Sequence, residues 1–172
     1  MSMPDTGTCP FGVAGDCNNS IPDAIADLQA GAVPISQASL NIAGCTMNLN
    51  SSFHILRAVL PSMRQTASGR IIAIGSRAAE SPGAKVGAYS ASKAALVSLI
   101  RTVAIENKEF GITANVILPG TMDTPANRKD MPGADTSQWV QPASVASLIV
   151  WLTGDGGKDV TGAAIPVYGR GL

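Results

Sequence analysis

The chain has 172 residues, of which 45% are apolar and only 14% are charged. Twelve basic and twelve acidic residues cancel, so no basic surface predicts a nucleic-acid partner. This length suits one domain with a substantial core, and the low charge predicts that much of the surface is buried or paired with another subunit.

The cysteine count argues against a metal site and for a reducing compartment. Three cysteines without CxxC spacing and a single histidine do not provide a zinc site. An odd number of free thiols favours the cytoplasm. The first residues lack the basic and apolar regions of a signal peptide, and no apolar run reaches the ~20 residues that span a bilayer. We therefore expect a cytoplasmic protein without metal or membrane partner.

The first elements of the chain are a loop-rich segment, a helix and a strand. Residues 1–33 are rich in proline, glycine and polar residues and predict an irregular segment with one short helix. From about residue 42 to 65, apolar residues recur at intervals of three and four, which predicts a helix. Pro61 falls inside this helix and is expected to kink or shorten it. Residues 71–74 form the short apolar run of a buried strand.

The remaining elements alternate in type. A long helix is predicted from about residue 89 to 110 and ends at Gly111; a strand follows over 112–118. Pro142 begins another helix that ends before Gly154, and residues 163–167 predict the last strand. The order strand–helix–strand–helix–strand is typical of an α/β fold with a parallel sheet and right-handed crossovers.

Three side chains in this pattern point to proton-transfer chemistry. Tyr89 and Lys93 are four residues apart, so they project from the same helix face. Ser76 follows one apolar strand, and Pro119-Gly120 closes the next. An ammonium one helical turn from a phenol favours the phenolate, which makes a better base. These residues, gathered at the ends of parallel strands, predict a proton-transfer site.

From about residue 34 to 171 the chain resembles the C-terminal part of the short-chain dehydrogenase/reductase family. The matching stretches are Met47-Asn48-Leu49-Asn50, Ile74-Gly75-Ser76, Tyr89-Ser90-Ala91-Ser92-Lys93 and residues 118–124. The resemblance implies a domain over 34–172 with a partial Rossmann-like sheet and flanking helices, whose first βαβ half is truncated. It also implies an oxidoreductase that uses NAD or NADP, not distinguished here, to interconvert a carbonyl and an alcohol.

The resemblance implies a role for each matching residue. Tyr89 would be the general acid/base, and Lys93 would lie beside it and bind the nicotinamide ribose. Ser76 would donate to the substrate carbonyl oxygen as negative charge builds there. Asn48 would hold a water of the proton relay at a helix kink. The residues implied to hold the nicotinamide carboxamide are Pro119, Gly120, Met122 and Thr124. Helices near 50–65 and 89–109 would pair in a homo-oligomer.

Simpler interpretations stay open. Tyr89 and Lys93 suit an ordinary surface pair, and Ser76 suits a strand-end cap. Asn48 and Thr124 suit helix caps, and Asn50 is an alternative register for the asparagine that Asn48 matches. Pro119 and Gly120 also suit a simple turn from a strand to a loop. Trp139 is expected in the core or in an interface. Residues 122–139 also resemble the substrate loop of dihydropteridine reductases, which makes a pteridine-like substrate a second expectation.

A phosphate-binding turn is not evident. The family's first half supplies a strand, a Thr-Gly-x-x-x-Gly-x-Gly turn and a helix that receives the pyrophosphate. Residues 6–15 have glycines at other spacings, a proline among them and no preceding strand, so we interpret them as a loop. Two hypotheses follow. The chain is either an active oxidoreductase or a catalytically incompetent, truncated remnant that acts as a dimerising interaction module.

Overall fold

A computed structural model describes residues 46–170, which lie within one unit, Gly44–Leu172. The strands are β1 (Gly69–Ile74), β2 (Ile112–Pro119) and β3 (Ala164–Val167), all parallel and in that order across the sheet. The helices are α1 (Ser51–Gln65), α2 (Gly87–Asn107), α3 (Pro125–Asp130) and α4 (Pro142–Thr153). The predicted α/β class with a parallel sheet is confirmed. The irregular segment predicted over 1–33 lies outside the described residues.

The central strand β2 carries the core. All eight of its residues are buried. On one face Val116 and Leu118 pack against α1 and α2, and on the other face Ile117 packs against α4. Burial on both faces explains the continuous apolar run, which is typical of parallel sheets. Among the described strands β1 forms an edge, where Ile74 is 42% exposed.

The connection from α2 to β2 requires a glycine. A 3-10 turn, Lys108–Phe110, follows α2, and Gly111 then takes a left-handed φ of +67°. A Cβ at this position would lie 2.7 Å from the carbonyl oxygen of Ala67, so a side chain would clash with the backbone before β1. The predicted helix stop at Gly111 is therefore confirmed.

The start of α1 is not a regular α-helix, and this irregularity includes Asn48, where the resemblance implies a helix kink. Thr46–Asn50 form a π-helical turn that runs directly into α1. Pro61 lies within α1, yet the helix continues to Gln65, so the expected shortening is wrong. A proline removes one hydrogen bond, and here the packing of Leu56 and Leu60 against the core holds the helix together.

Two further observations concern partners. In the part of the chain that the structure describes, no helix combines the length and apolarity needed to cross a membrane. Within residues 46–170, no three histidine, cysteine, aspartate or glutamate side chains cluster to hold a metal ion.

Candidate active site

A cleft of about 910 Å³ opens at the carboxyl ends of β1 and β2. Ser76 enters it from the end of β1, and Tyr89 enters it from the first turn of α2. Pro119 and Gly120 line it at the end of β2. This volume suits a small molecule, and the carboxyl edge of a parallel sheet is where such folds bind ligands. Half of the predicted site residues therefore line one cleft.

Tyr89 and Lys93 meet as their spacing predicts. Tyr89 is 41% exposed and lines the cleft. The Lys93 Nζ lies 5.9 Å from the centroid of the Tyr89 ring. It donates a hydrogen bond of 2.9 Å to the carbonyl oxygen of Ile74, the last residue of β1. Burial lowers the pKa of Lys93 below its ordinary value of 10.5, because desolvation disfavours the ammonium. A partly desolvated cation is thus held beside the phenol.

The Ser76 hydroxyl acts as a cap and retains a proton to donate. Its oxygen accepts a hydrogen bond of 3.1 Å from the backbone N–H of Ala78, at the start of the 3-10 turn Arg77–Ala79. The capping interpretation is therefore correct for the Ser76 oxygen. A hydroxyl that accepts one hydrogen bond still has its own hydrogen, which is available to an acceptor in the cleft. Capping and donation to a substrate are compatible.

Asn48 lies in the π-helical turn and reaches Tyr89 through Ser92. The Asn48 Nδ2 donates to the Ser92 hydroxyl over 3.1 Å. The buried Ser92 hydroxyl in turn donates to the carbonyl oxygen of Tyr89 over 2.8 Å. The carbonyl of Asn48 accepts from Ser52. Asn48 is thus fastened to the first turn of α2, outside the cleft lining. Asn50, the residue before α1, makes no side-chain capping hydrogen bond.

The turn after β2 is shaped by Gly120. Its N–H donates to the carbonyl oxygen of Val167 over 2.9 Å, and a Cβ would lie 2.9 Å from the carbonyl oxygen of Tyr168. The side chains of Met122 and Thr124 lie outside the cleft lining. Met122 packs against the core beneath α4. Thr124 caps α3 by accepting from the backbone N–H of Asn127, so the capping interpretation holds for Thr124.

Two aromatic residues that line the cleft are not among the predicted site residues. Tyr168, directly after β3, and Trp139, directly after the 3-10 turn Thr136–Gln138, both belong to it. Trp139 was expected in the core or in an interface, but the structure places it in the lining of the cleft. No periodicity marks a residue of an irregular loop. Only the position of Tyr168 at the carboxyl end of a parallel strand could have indicated it.

The described residues fit one end of a dinucleotide. Tyr89, Lys93, Pro119 and Gly120 surround the carboxyl ends of β1 and β2, where a nicotinamide and its ribose can be held by hydroxyl, ammonium and backbone groups. The Thr-Gly-x-x-x-Gly-x-Gly pattern does not occur within residues 46–170. The loop of residues 6–15 lies outside the described residues.

Comparison with known proteins identifies a family. The sequence profile of short chain dehydrogenases matches residues 36–134. The chain is 33% identical over 156 residues to D-beta-hydroxybutyrate dehydrogenase of Rhizobium meliloti, covering 79% of this chain and 59% of that protein. It is 35% identical over 131 residues to a 3-oxoacyl-(acyl-carrier-protein) reductase of Pseudomonas aeruginosa, covering 71% of this chain and 53% of that protein.

Solved structures agree with these relatives. A 3-oxoacyl-(acyl-carrier-protein) reductase of Brucella melitensis superimposes with a TM-score of 0.67 at 30% identity, over 73% of this chain and 50% of that one. A structure of such a reductase with bound NAD, from the same organism, gives a TM-score of 0.63 at 30% identity, over 73% of this chain and 48% of that one. The chain thus spans about half the length of the proteins it matches. Profile, sequence and fold together show that it belongs to the short-chain dehydrogenase/reductase family.

Proposed function

We propose that this chain interconverts a carbonyl and an alcohol with NAD(H) or NADP(H). The observation that carries the proposal is the single cleft that Ser76 and Tyr89 share, with the Lys93 ammonium 5.9 Å from the Tyr89 ring centroid. Relatives described as a hydroxybutyrate dehydrogenase and an oxoacyl reductase support the same reaction class.

The proposed mechanism assigns one task to each side chain. In the direction of reduction the nicotinamide supplies the hydride. The Tyr89 hydroxyl gives its proton to the carbonyl oxygen, and the Ser76 hydroxyl donates a hydrogen bond to the same oxygen as negative charge builds. The Lys93 ammonium stabilises the phenolate that remains. Asn48 holds the first turn of α2 through Ser92 and takes part in the water relay. The turn proposed to hold the carboxamide comprises Pro119, Gly120, Met122 and Thr124.

We further propose a cytoplasmic homo-oligomer built on α1 and α2. One side of α2 exposes the small side chains of Ala91, Ala94 and Ser98, then Thr102 and, seven residues after Ser98, the apolar Ile105. Ile105 is 71% exposed, and Ile55 of α1 is 62% exposed. A helical stripe of this kind suits packing against a helix of a second subunit.

The second candidate function is a non-catalytic, dimerising interaction module. It is favoured by one observation: residues 1–172 contain no Thr-Gly-x-x-x-Gly-x-Gly pattern, the family's phosphate-binding turn. The same helices would pair, but the cleft would bind no cofactor. A pteridine-like substrate is a variant of the first candidate, in which hydride and proton are added to the pteridine ring instead of a carbonyl group. It is supported by the loop that resembles dihydropteridine reductases, which contributes Asn127, Met131 and Trp139 to the cleft.

Titration of the purified chain with NADH and with NADPH, followed by cofactor fluorescence, separates the two candidates. We expect saturable binding of one cofactor at micromolar concentration, followed by turnover of a member of a panel of carbonyl compounds or of a quinonoid dihydropteridine tested beside them. Absence of binding at millimolar concentration of both cofactors would contradict the oxidoreductase and support the interaction module. Replacing Trp151, on the exposed side of α4, with phenylalanine leaves Trp139 as the sole tryptophan reporter in the cleft.

A further inference from the structure

Tyr168 joins the end of β3 to the turn that follows β1. Its hydroxyl donates to the Glu80 Oε2 over 3.2 Å, a contact between residues 88 positions apart. The guanidinium carbon of Arg77 lies 5.4 Å from the centroid of the Tyr168 ring, within the range of a cation–π contact. Because β2 lies between β1 and β3, these two contacts cross the end of the central strand.

The backbone beside Tyr168 contacts the other walls of the cleft. The Tyr168 carbonyl oxygen lies 2.9 Å from the position of a Cβ on Gly120, in the turn after β2. Gly169 has a φ of +71°, and a Cβ there would clash with the carbonyl oxygen of Gln138. The N–H of Arg170 donates to this same Gln138 oxygen over 3.3 Å. The segment 168–170 therefore meets the turns after β1 and β2 and the turn before Trp139.

The turn that Tyr168 contacts is the one that begins at Ser76. The Ser76 Oγ accepts from the N–H of Ala78, the Ser76 carbonyl oxygen accepts from Ala79 over 3.0 Å, and the Arg77 carbonyl oxygen accepts from Glu80 over 3.1 Å. Three hydrogen bonds within five residues make this turn a unit, so a displacement of Glu80 is transmitted to Ser76.

We propose that Tyr168 is a positioning residue, which through its contact with Glu80 sets where the Ser76 hydroxyl lies in the cleft. The inference rests on the role of Ser76 under the proposed function. Tyr168 stays protonated through the neutral range, because burial, followed by the contact with Glu80, raises its pKa above the ordinary value of 10.0. It is therefore a hydrogen-bond donor to the Glu80 carboxylate wherever the enzyme works.

Kinetics of matched variants test this assignment. Glu80→Ala removes the acceptor, Glu80→Gln keeps an acceptor oxygen, and Tyr168→Phe removes only the donor. We expect Glu80→Ala and Tyr168→Phe to lower kcat by roughly tenfold or more, with cofactor Kd unchanged, and Glu80→Gln to remain within about twofold. In a chain that already carries Ser76→Ala, adding Glu80→Ala should not lower the residual rate further. Two results would overturn the proposal. One is a wild-type rate for Glu80→Ala, and the other is a Glu80→Ala effect that is as large in the Ser76→Ala background as in the parent chain.

A second measurement tests the role of Tyr168 without requiring turnover. Tyr89 and Tyr168 are the two tyrosines of the chain, so labelling with 3-fluorotyrosine gives two fluorine resonances. Tyr168→Phe assigns them. We expect Glu80→Ala to shift and broaden the Tyr89 resonance, Glu80→Gln to restore it, and the control Glu106→Ala on α2 to leave it unchanged. An unmoved Tyr89 resonance in Glu80→Ala would overturn the proposal. Lack of turnover in the parent chain would count against the proposed function alone.

Discussion

Tyr89 and Lys93 are neighbours on α2, but their surroundings differ. The Tyr89 ring is 41% exposed in the cleft, where a substrate can reach it. Lys93 is half-buried, and its ammonium is fixed on the carbonyl oxygen of Ile74. The exposed residue is suited to exchange a proton with a substrate, and the buried one is suited to supply a fixed charge beside it.

The lowered pKa of Lys93 predicts a pH dependence of stability. Because the folded chain releases this proton at a lower pH than the unfolded chain, the unfolded state binds more protons in the window below 10.5. The contribution of Lys93 to the free energy of unfolding therefore rises with pH through that window. We expect the stability of Lys93→Met relative to the parent chain to fall between pH 7 and pH 10. Urea denaturation at both values measures this, and a difference that does not change with pH would contradict it.

At the level of secondary structure elements, the turn after β2 depends on the absence of a side chain at Gly120. A Cβ there would approach the Tyr168 carbonyl oxygen to 2.9 Å and its Cα to 3.2 Å, so Gly120→Ala must push apart the ends of β2 and β3. We expect a loss of roughly 1–3 kcal/mol, as for other overpacked sites.

The chain offers a matched control for this substitution. A Cβ on Gly87, the first residue of α2, would meet nothing within 4 Å. Gly87→Ala should be neutral or stabilising by up to about 1 kcal/mol, because alanine is the better helix former. Urea denaturation of both variants gives the comparison. Equal stabilities of the two variants would show that Gly120 is not packed as the structure describes.

Helices and strands with a periodic pattern of apolar residues were predictable from the sequence. Features that depend on contacts between residues distant in sequence were not. The apolar runs of β1 and β2 and the spacing within α2 gave their positions to within a few residues. No periodicity marks the π-helical turn Thr46–Asn50, since it differs from an α-helix only in which carbonyl each N–H meets. The resemblance at Asn48 was the one indication that the helix is irregular there.

The same division holds within the cleft. Ser76, Tyr89, Pro119 and Gly120 line one cleft, and the sequence could indicate this because each lies at the end of a strand or in the first turn of a helix. Tyr168 was not predicted, because an irregular segment brings it to the cleft. Trp139 was indicated only by the resemblance of residues 122–139 to a substrate loop. The contact that fastens Tyr168, its hydrogen bond to Glu80, spans 88 positions of sequence and leaves no local pattern.

At the scale of the whole molecule, the exposed stripe of α2 predicts an oligomer. Burying an isoleucine side chain contributes about 1.5–3 kcal/mol, and a symmetric dimer buries two copies. Ile105→Glu should therefore raise the dimer dissociation constant by at least about a hundredfold. Sedimentation velocity of this variant, with Lys129→Glu on exposed α3 as control, provides the test. A monomeric parent chain, or an Ile105→Glu variant that still associates, would contradict the proposed interface.

The proposed reaction requires the cleft, the bound cofactor and the acid/base Tyr89 to function together, so hydride transfer tests the whole molecule. The chain is incubated with a carbonyl substrate and with NADH or NADPH that carries deuterium at the nicotinamide C4. Mass spectrometry of the alcohol product then measures hydride transfer directly. We predict that the parent chain transfers deuterium to the alcohol carbon, and that Tyr89→Phe lowers the rate by roughly 10²–10⁴-fold with cofactor affinity intact. An equal rate of transfer in Tyr89→Phe, or no transfer by the parent chain, would contradict the account.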